Sequence, residues 1–158
     1  MQRFRCAPIF DAASLTYSGH MDIRAKLAPD LTDCDVTRVF LVEDSAVVRE
    51  RLLEILKAIP TVEVIGYAET PTDAIEQINV NPPDVIVLDI QLRDGRGMNV
   101  LQTIKRQFPA IVVIMLTNYA TLGFRQRYLA AGADYFLDKT NEFQNIASTL
   151  QQLNRNDT

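Results

Sequence analysis

The sequence predicts a doubly wound α/β fold, an open parallel sheet of five strands with helices on both sides, and three observations predict it. Short apolar runs alternate five times with helix-period segments between Thr37 and Leu153. The runs Val85-Ile-Val-Leu88 and Ile111–Leu116 are apolar at consecutive positions, as strands covered on both faces must be. Each run is followed at once by a polar or charged residue: Glu43, Glu69, Asp89, Thr117 and Lys139.

The elements follow in order. Val39-Phe-Leu-Val42 is the first strand and ends in Glu43-Asp44-Ser45. Val48, Leu52, Ile55, Leu56 and Ile59 then form one helical stripe, which Pro60 stops. Val62–Ala68 is the second strand. Thr70-Pro71-Thr72-Asp73 has the form of a helix start, with a capping hydroxyl, proline at the first helical position and an acid three residues after the cap. Pro82-Pro83 closes that helix, and Val85–Leu88 is the third strand, ending in Asp89. A glycine-containing loop leads to a helix with Val100, Leu101, Ile104 and Phe108 inward. Ile111–Leu116 is the fourth strand, ending in Thr117. Leu122–Ala131 is a helix with Gly132 placed as its C-terminal cap. Asp134–Asp138 is the fifth strand, and the last helix aligns Phe143, Ile146, Ala147, Leu150 and Leu153. Right-handed crossovers and only five strands give the flavodoxin-like order 2-1-3-4-5.

Residues 1–36 show neither period, and Pro8, Gly19, Pro29 and three aspartates punctuate them. They read as a flexible extension, with one short helix around Met21–Leu27. Residues 37–153 form the domain, and 154–158 a short tail with no output domain expected. The chain of 158 residues is 47% apolar and 23% charged, which excludes collagen, coiled coil and wholesale disorder. No run of apolar residues is long enough for a membrane span. A net charge of −4 argues against nucleic acid as the main partner. Cys6 and Cys34 both fall in the extension, so a reduced, cytoplasmic chain is the simpler reading, with one disulfide there as the alternative. Pro8, Asp11 and Ser14 interrupt any secretory apolar stretch.

Ligands of open parallel sheets bind beyond the carboxyl ends of the strands, where strand order reverses. Strands one and three are neighbours there, roughly 4.8 Å apart. Asp44 and Asp89 are thus expected to face each other, with Glu43 beside them. Three carboxylates so close repel one another unless a cation joins them. Few, hard oxygen ligands at one rim suit Mg²⁺, which keeps several waters and accepts a phosphate oxygen. Lys139 arrives from two strands away, a gap of roughly 10 Å that its stem largely covers. Thr117, on the strand between, offers a hydroxyl. Such a site receives three phosphoryl oxygens around a central carboxylate, and Asp89 is the candidate nucleophile.

This constellation resembles the receiver domain of bacterial two-component response regulators. The residues that carry the resemblance are Glu43-Asp44-Ser45, the Val-Leu-Asp89 strand end, and Gly97 eight positions beyond it. Leu-Thr117 and Gly132-Ala-Asp-Tyr-Phe-Leu-Asp-Lys139 complete it, and together they span about residues 37–153. The resemblance implies that Asp89 is the phosphoacceptor and that Mg²⁺ (or Mn²⁺) is held by Asp44, Asp89 and the backbone carbonyl of Gln91. Glu43 then acts mainly through water, Thr117 and Lys139 contact the phosphoryl group, and Phe136 is the aromatic switch. Phosphorylation adds about −1.5 to −2 charge. Thr117 is then drawn toward the phosphoryl group, and the Phe136 ring turns inward behind it. The face of helix four, strand five and helix five changes shape as a result. The implied partners are a sensor histidine kinase or phosphotransfer protein, a downstream protein and a second copy of the chain, with no membrane or nucleic acid.

Gln91, Arg93, Tyr119 and Thr140 stand where the family varies or differs, and none removes a reacting group. The competing class is a small phosphatase working through an aspartyl-phosphate, like haloacid-dehalogenase enzymes. Those place a second aspartate two positions after the nucleophile, where this chain has Gln91, and they need a cap for which it has no length. A receiver fragment of a longer regulator is the third reading. The only histidine, His20, lies in the extension and argues against a hydrolase triad.

Overall fold

The computed structural model describes residues 36–156. Strands β1 (Thr37–Val42), β2 (Val62–Ala68), β3 (Val85–Asp89), β4 (Val112–Thr117) and β5 (Tyr135–Asp138) alternate with five helices. These are α1 (Ala46–Lys57), α2 (Pro71–Val80), α3 (Gly97–Gln107), α4 (Leu122–Ala130) and α5 (Asn145–Asn156). The strands pair in parallel in the order β2-β1-β3-β4-β5, as the alternating pattern predicts. The expected extension, its helix around Met21–Leu27 and both cysteines lie outside the described residues. Among the described residues no helix is long and apolar enough to cross a membrane.

Consecutive apolar residues serve opposite faces because strand side chains alternate. Phe40, Val42, Ile86, Leu88, Val113 and Met115 join α2, α3 and α4 in one core layer. Val39, Leu41, Val85, Val87, Ile114 and Leu116 join α1 and α5 in the other. All of β3 is buried on both sides.

The helix starts are set by short hydroxyl side chains. Ser45 Oγ accepts from the Val48 N–H at 3.5 Å, and Thr70 Oγ1 accepts from the Asp73 N–H at 3.2 Å, with Pro71 following. Gly132 ends α4 with φ at 109°, the left-handed conformation that glycine adopts without steric cost. Three residues placed on helix faces from the sequence lie just outside the helices, one of them the half-buried Phe108, since α3 stops at Gln107. Ile59 and Phe143 are both buried, but α1 stops at Lys57 and α5 starts at Asn145. The delay of α5 has a local cause: Glu142 Oε2 accepts from the Asp138 N–H, and Asp138 Oδ1 accepts from the Thr140 N–H, which closes a turn first. The loop after Asp89 also contains a small hairpin, Gln91–Leu92 against Gly95–Arg96, too short for any periodicity to reveal.

Candidate functional site

Strand register delivers the polar residues to one rim. Val42 pairs with Leu88, Asp89 with Leu116, and Thr117 with Asp138, so the residues that end four strands share a level. Glu43 donates its N–H to the Ala68 carbonyl at 3.0 Å, and Lys139 donates its N–H to the Thr117 carbonyl at 2.8 Å. The backbone is thereby pinned at both sides of the site.

Lys139 crosses that rim. Its Nζ lies 2.6 Å from Glu43 Oε2 and 2.9 Å from Asp89 Oδ2, with the three side chains only 6%, 3% and 10% exposed. Asp44 is half-buried, and one carboxylate oxygen each from Glu43, Asp44 and Asp89 lie within 4.8 Å of one another. Three acids therefore face one ammonium. Burial pushes the Glu43 and Asp89 carboxyls above their usual range, and Lys139 pulls both back. The Asp89 charge raises Glu43 further. Hard oxygen donors with an uncompensated negative charge fit a small divalent cation.

Two further contacts shape the acceptor position. Asp89 Oδ1 accepts from the Gln91 N–H at 3.4 Å. Gly97 donates to the Ile90 carbonyl at 2.8 Å, and a Cβ on it would stand 2.1 Å from the Asp89 carbonyl oxygen. Only glycine allows that approach.

The structure thus brings Glu43, Asp44, Asp89 and Lys139 together. The sequence reading has Asp44 opposite Asp89 and Glu43 at one side; here the more buried partner of Asp89 is Glu43, joined to it through Lys139. Thr117 is fully buried one strand away, and its Oγ1 accepts from the Tyr119 N–H at 3.1 Å. Phe136 does not join the site. Its ring lies in the core at 4% exposure, with the Tyr128 ring centroid at 6.1 Å and the Arg125 guanidinium carbon at 5.5 Å. The Phe136 side chain is packed inward against Tyr128, on the side of the sheet that α4 covers.

Arg49 was not found from the sequence. It donates to the Glu43 carbonyl at 3.1 Å and pairs with Glu69 at 3.1 Å. Its position on the buried side of α1, one turn after Ser45, was the available signal.

Comparison with known proteins agrees with this geometry. Residues 39–151 match the family model of the response regulator receiver domain. The chain is 30% identical over 118 residues to the DNA-binding transcriptional activator DevR/DosR of Mycobacterium tuberculosis, covering 75% of this chain and 54% of that protein. It is 31% identical over 117 residues to a protein-glutamate methylesterase/protein-glutamine glutaminase of Carboxydothermus hydrogenoformans, covering 73% of this chain and 34% of that one. The chain thus spans about half the length of the first of these relatives and about a third of the second. Among solved structures, the response regulator domain of Thermotoga maritima CheB is similar with a TM-score of 0.67 and 30% identity, over 77% of this chain and 95% of that one.

Proposed function

Because the chain belongs to the response regulator receiver family, we propose that it takes a phosphoryl group onto Asp89 from the phosphohistidine of a sensor kinase or phosphotransfer protein. An Asp89 carboxylate oxygen forms the new bond to phosphorus. The phosphorus–nitrogen bond of the donor breaks, and its electron pair leaves with the imidazole. The observation that carries this reading is the Lys139 ammonium seated between Glu43 and Asp89 with Asp44 in reach of both.

Asp44, Asp89 and the Gln91 carbonyl are the residues that would hold Mg²⁺ or Mn²⁺, with Glu43 contributing mainly through water. When bound, the cation neutralises charge on the phosphoryl oxygens. Lys139 supplies a second positive charge on a stem long enough to follow the new group. Thr117 has a hydroxyl hydrogen to donate, since its oxygen accepts from Tyr119. Drawing that hydroxyl toward the phosphoryl group releases the Tyr119 N–H at the start of the loop into α4. Phe136, packed between Tyr128 and Arg125, carries the change into α4. The face of α4, β5 and α5 is the proposed output surface toward a downstream protein or a second copy. Tyr119, Leu122, Phe124 and Leu129 are exposed in and beside α4. No turnover is proposed beyond the chain's own phosphorylation and autodephosphorylation.

The test is incubation with acetyl phosphate and Mg²⁺ followed by intact mass. The wild type is expected to gain one phosphoryl group and Asp89→Asn none. Gain by both, or by neither, overturns the assignment.

A further inference from the structure

The β2 side of the acidic rim is closed by ion pairs that phosphoryl acceptance itself does not use. Glu69, the residue after β2, receives Arg49 of α1 on Oε1 and Arg93 of the hairpin on Oε2, each at 3.1 Å. The same Arg49 nitrogen donates to the Glu43 carbonyl, and the Arg49 guanidinium lies 4.3 Å from the centre of the Tyr67 ring. The Arg49 side chain is 12% exposed, whereas that of Arg93 is 61% exposed. One carboxylate therefore spans two loops, the one with Glu43 and Asp44 and the one that follows Asp89 and carries Gln91. The second loop has a turn to hold: Asp94 is in the left-handed region at φ 62°, and a Cβ on Gly95 would come 2.7 Å from Pro71 Cγ.

We propose that Glu69 is a positioning residue for the divalent cation, because its two arginines fix the separation of the loops that supply the ligands. The proposal rests on the functional reading above. Cation ligands on separate loops must hold their spacing before the cation arrives, and the groups behind the ligands provide it. Glu69 touches neither Asp89 nor Lys139, so its loss leaves the nucleophile intact and loosens only the cradle.

The test titrates Mn²⁺ into the full chain and reads free Mn²⁺ by electron paramagnetic resonance, with melting in EDTA measured alongside. Glu69→Gln is expected to bind Mn²⁺ about 10-fold more weakly, in line with the loss of other outer partners. Arg93→Ala is expected to show a similar loss, and the double variant little more than either. With acetyl phosphate, Glu69→Gln is expected to reach the wild-type extent of phosphorylation, but only at correspondingly higher Mn²⁺. Unchanged Mn²⁺ affinity in Glu69→Gln overturns the proposal while leaving the acceptor assignment standing. A loss in Glu69→Gln that Arg93→Ala does not share, with melting lowered in step, reduces Glu69 to a general stabilising residue and also overturns it. If the wild type takes up no Mn²⁺, the acceptor reading itself fails.

Discussion

Lys139 stands closer to Glu43, at 2.6 Å, than to Asp89, at 2.9 Å, although Asp89 is the residue it is proposed to serve. Among the described residues, the ammonium is the single positive charge paired with these two buried acids. Removing it leaves them both unpaired. Lys139→Met is expected to destabilise the chain by about 3 kcal/mol at pH 7 in EDTA, and much less at pH 4, where the acids take up protons. Urea unfolding at the two pH values checks this, and an equal loss at both contradicts it.

Asp89→Asn should act in the opposite direction. The Asp89 and Glu43 carboxyls are raised by burial, so the folded state holds protons that the unfolded chain releases. Stability from these groups is complete below their ordinary values and is lost as pH rises through the raised ones. Above that window Asp89→Asn removes the penalty of one buried charge and leaves Glu43 paired with Lys139. Its melting temperature in EDTA is expected to exceed that of wild type at pH 7, with the gap closing toward pH 4. Asp138 has the reverse sign: the Thr140 N–H lowers its carboxyl, so its small contribution is present above the usual range and fades as pH falls.

Gly97→Ala is expected to cost about 3 kcal/mol by forcing a methyl group into the Asp89 carbonyl. Acceptance should fall with stability, because the acceptor's own backbone must shift. Gly123→Ala is the control, since a Cβ there meets nothing within 4 Å. Chemical denaturation of the two variants separates them.

Phe136→Leu keeps an apolar side chain between Tyr128 and Arg125 but loses the ring faces that both meet. Phosphorylation by acetyl phosphate should stay near wild type, while phosphorylation-dependent changes in the α4 amide resonances should shrink. Unaltered resonance changes would remove Phe136 from the relay.

Strand order and the start of α2 were legible in the sequence. Consecutive apolar residues at Val85–Leu88 require two covered faces, and Thr70 with Pro71 announces its helix, whereas the Ser45 cap of α1 emerges only from the structure. Asp44, Asp89 and Lys139 were placed at one rim because the parallel order alone brings their strand ends together. What stayed hidden depends on long side chains choosing between partners. The pairing of Lys139 with Glu43 connects residues 96 positions apart, and neither side chain names the other. The Arg49–Glu69–Arg93 bridge likewise joins three elements, and Glu69 alone reads as an ordinary strand-end acid. Phe143 was assigned to α5 by spacing, which cannot see that Glu142 and Asp138 first spend a turn on each other.

Tyr128 is the one buried residue of α4. A helix with so little buried surface is expected to be among the first segments to open in amide exchange, whereas β3, buried throughout, is expected to open with the global unfolding of the domain. On the proposed reading, the acceptor therefore ends the strand expected to exchange slowest, and the output surface includes the helix with the fewest buried residues, whose rearrangement would need little energy.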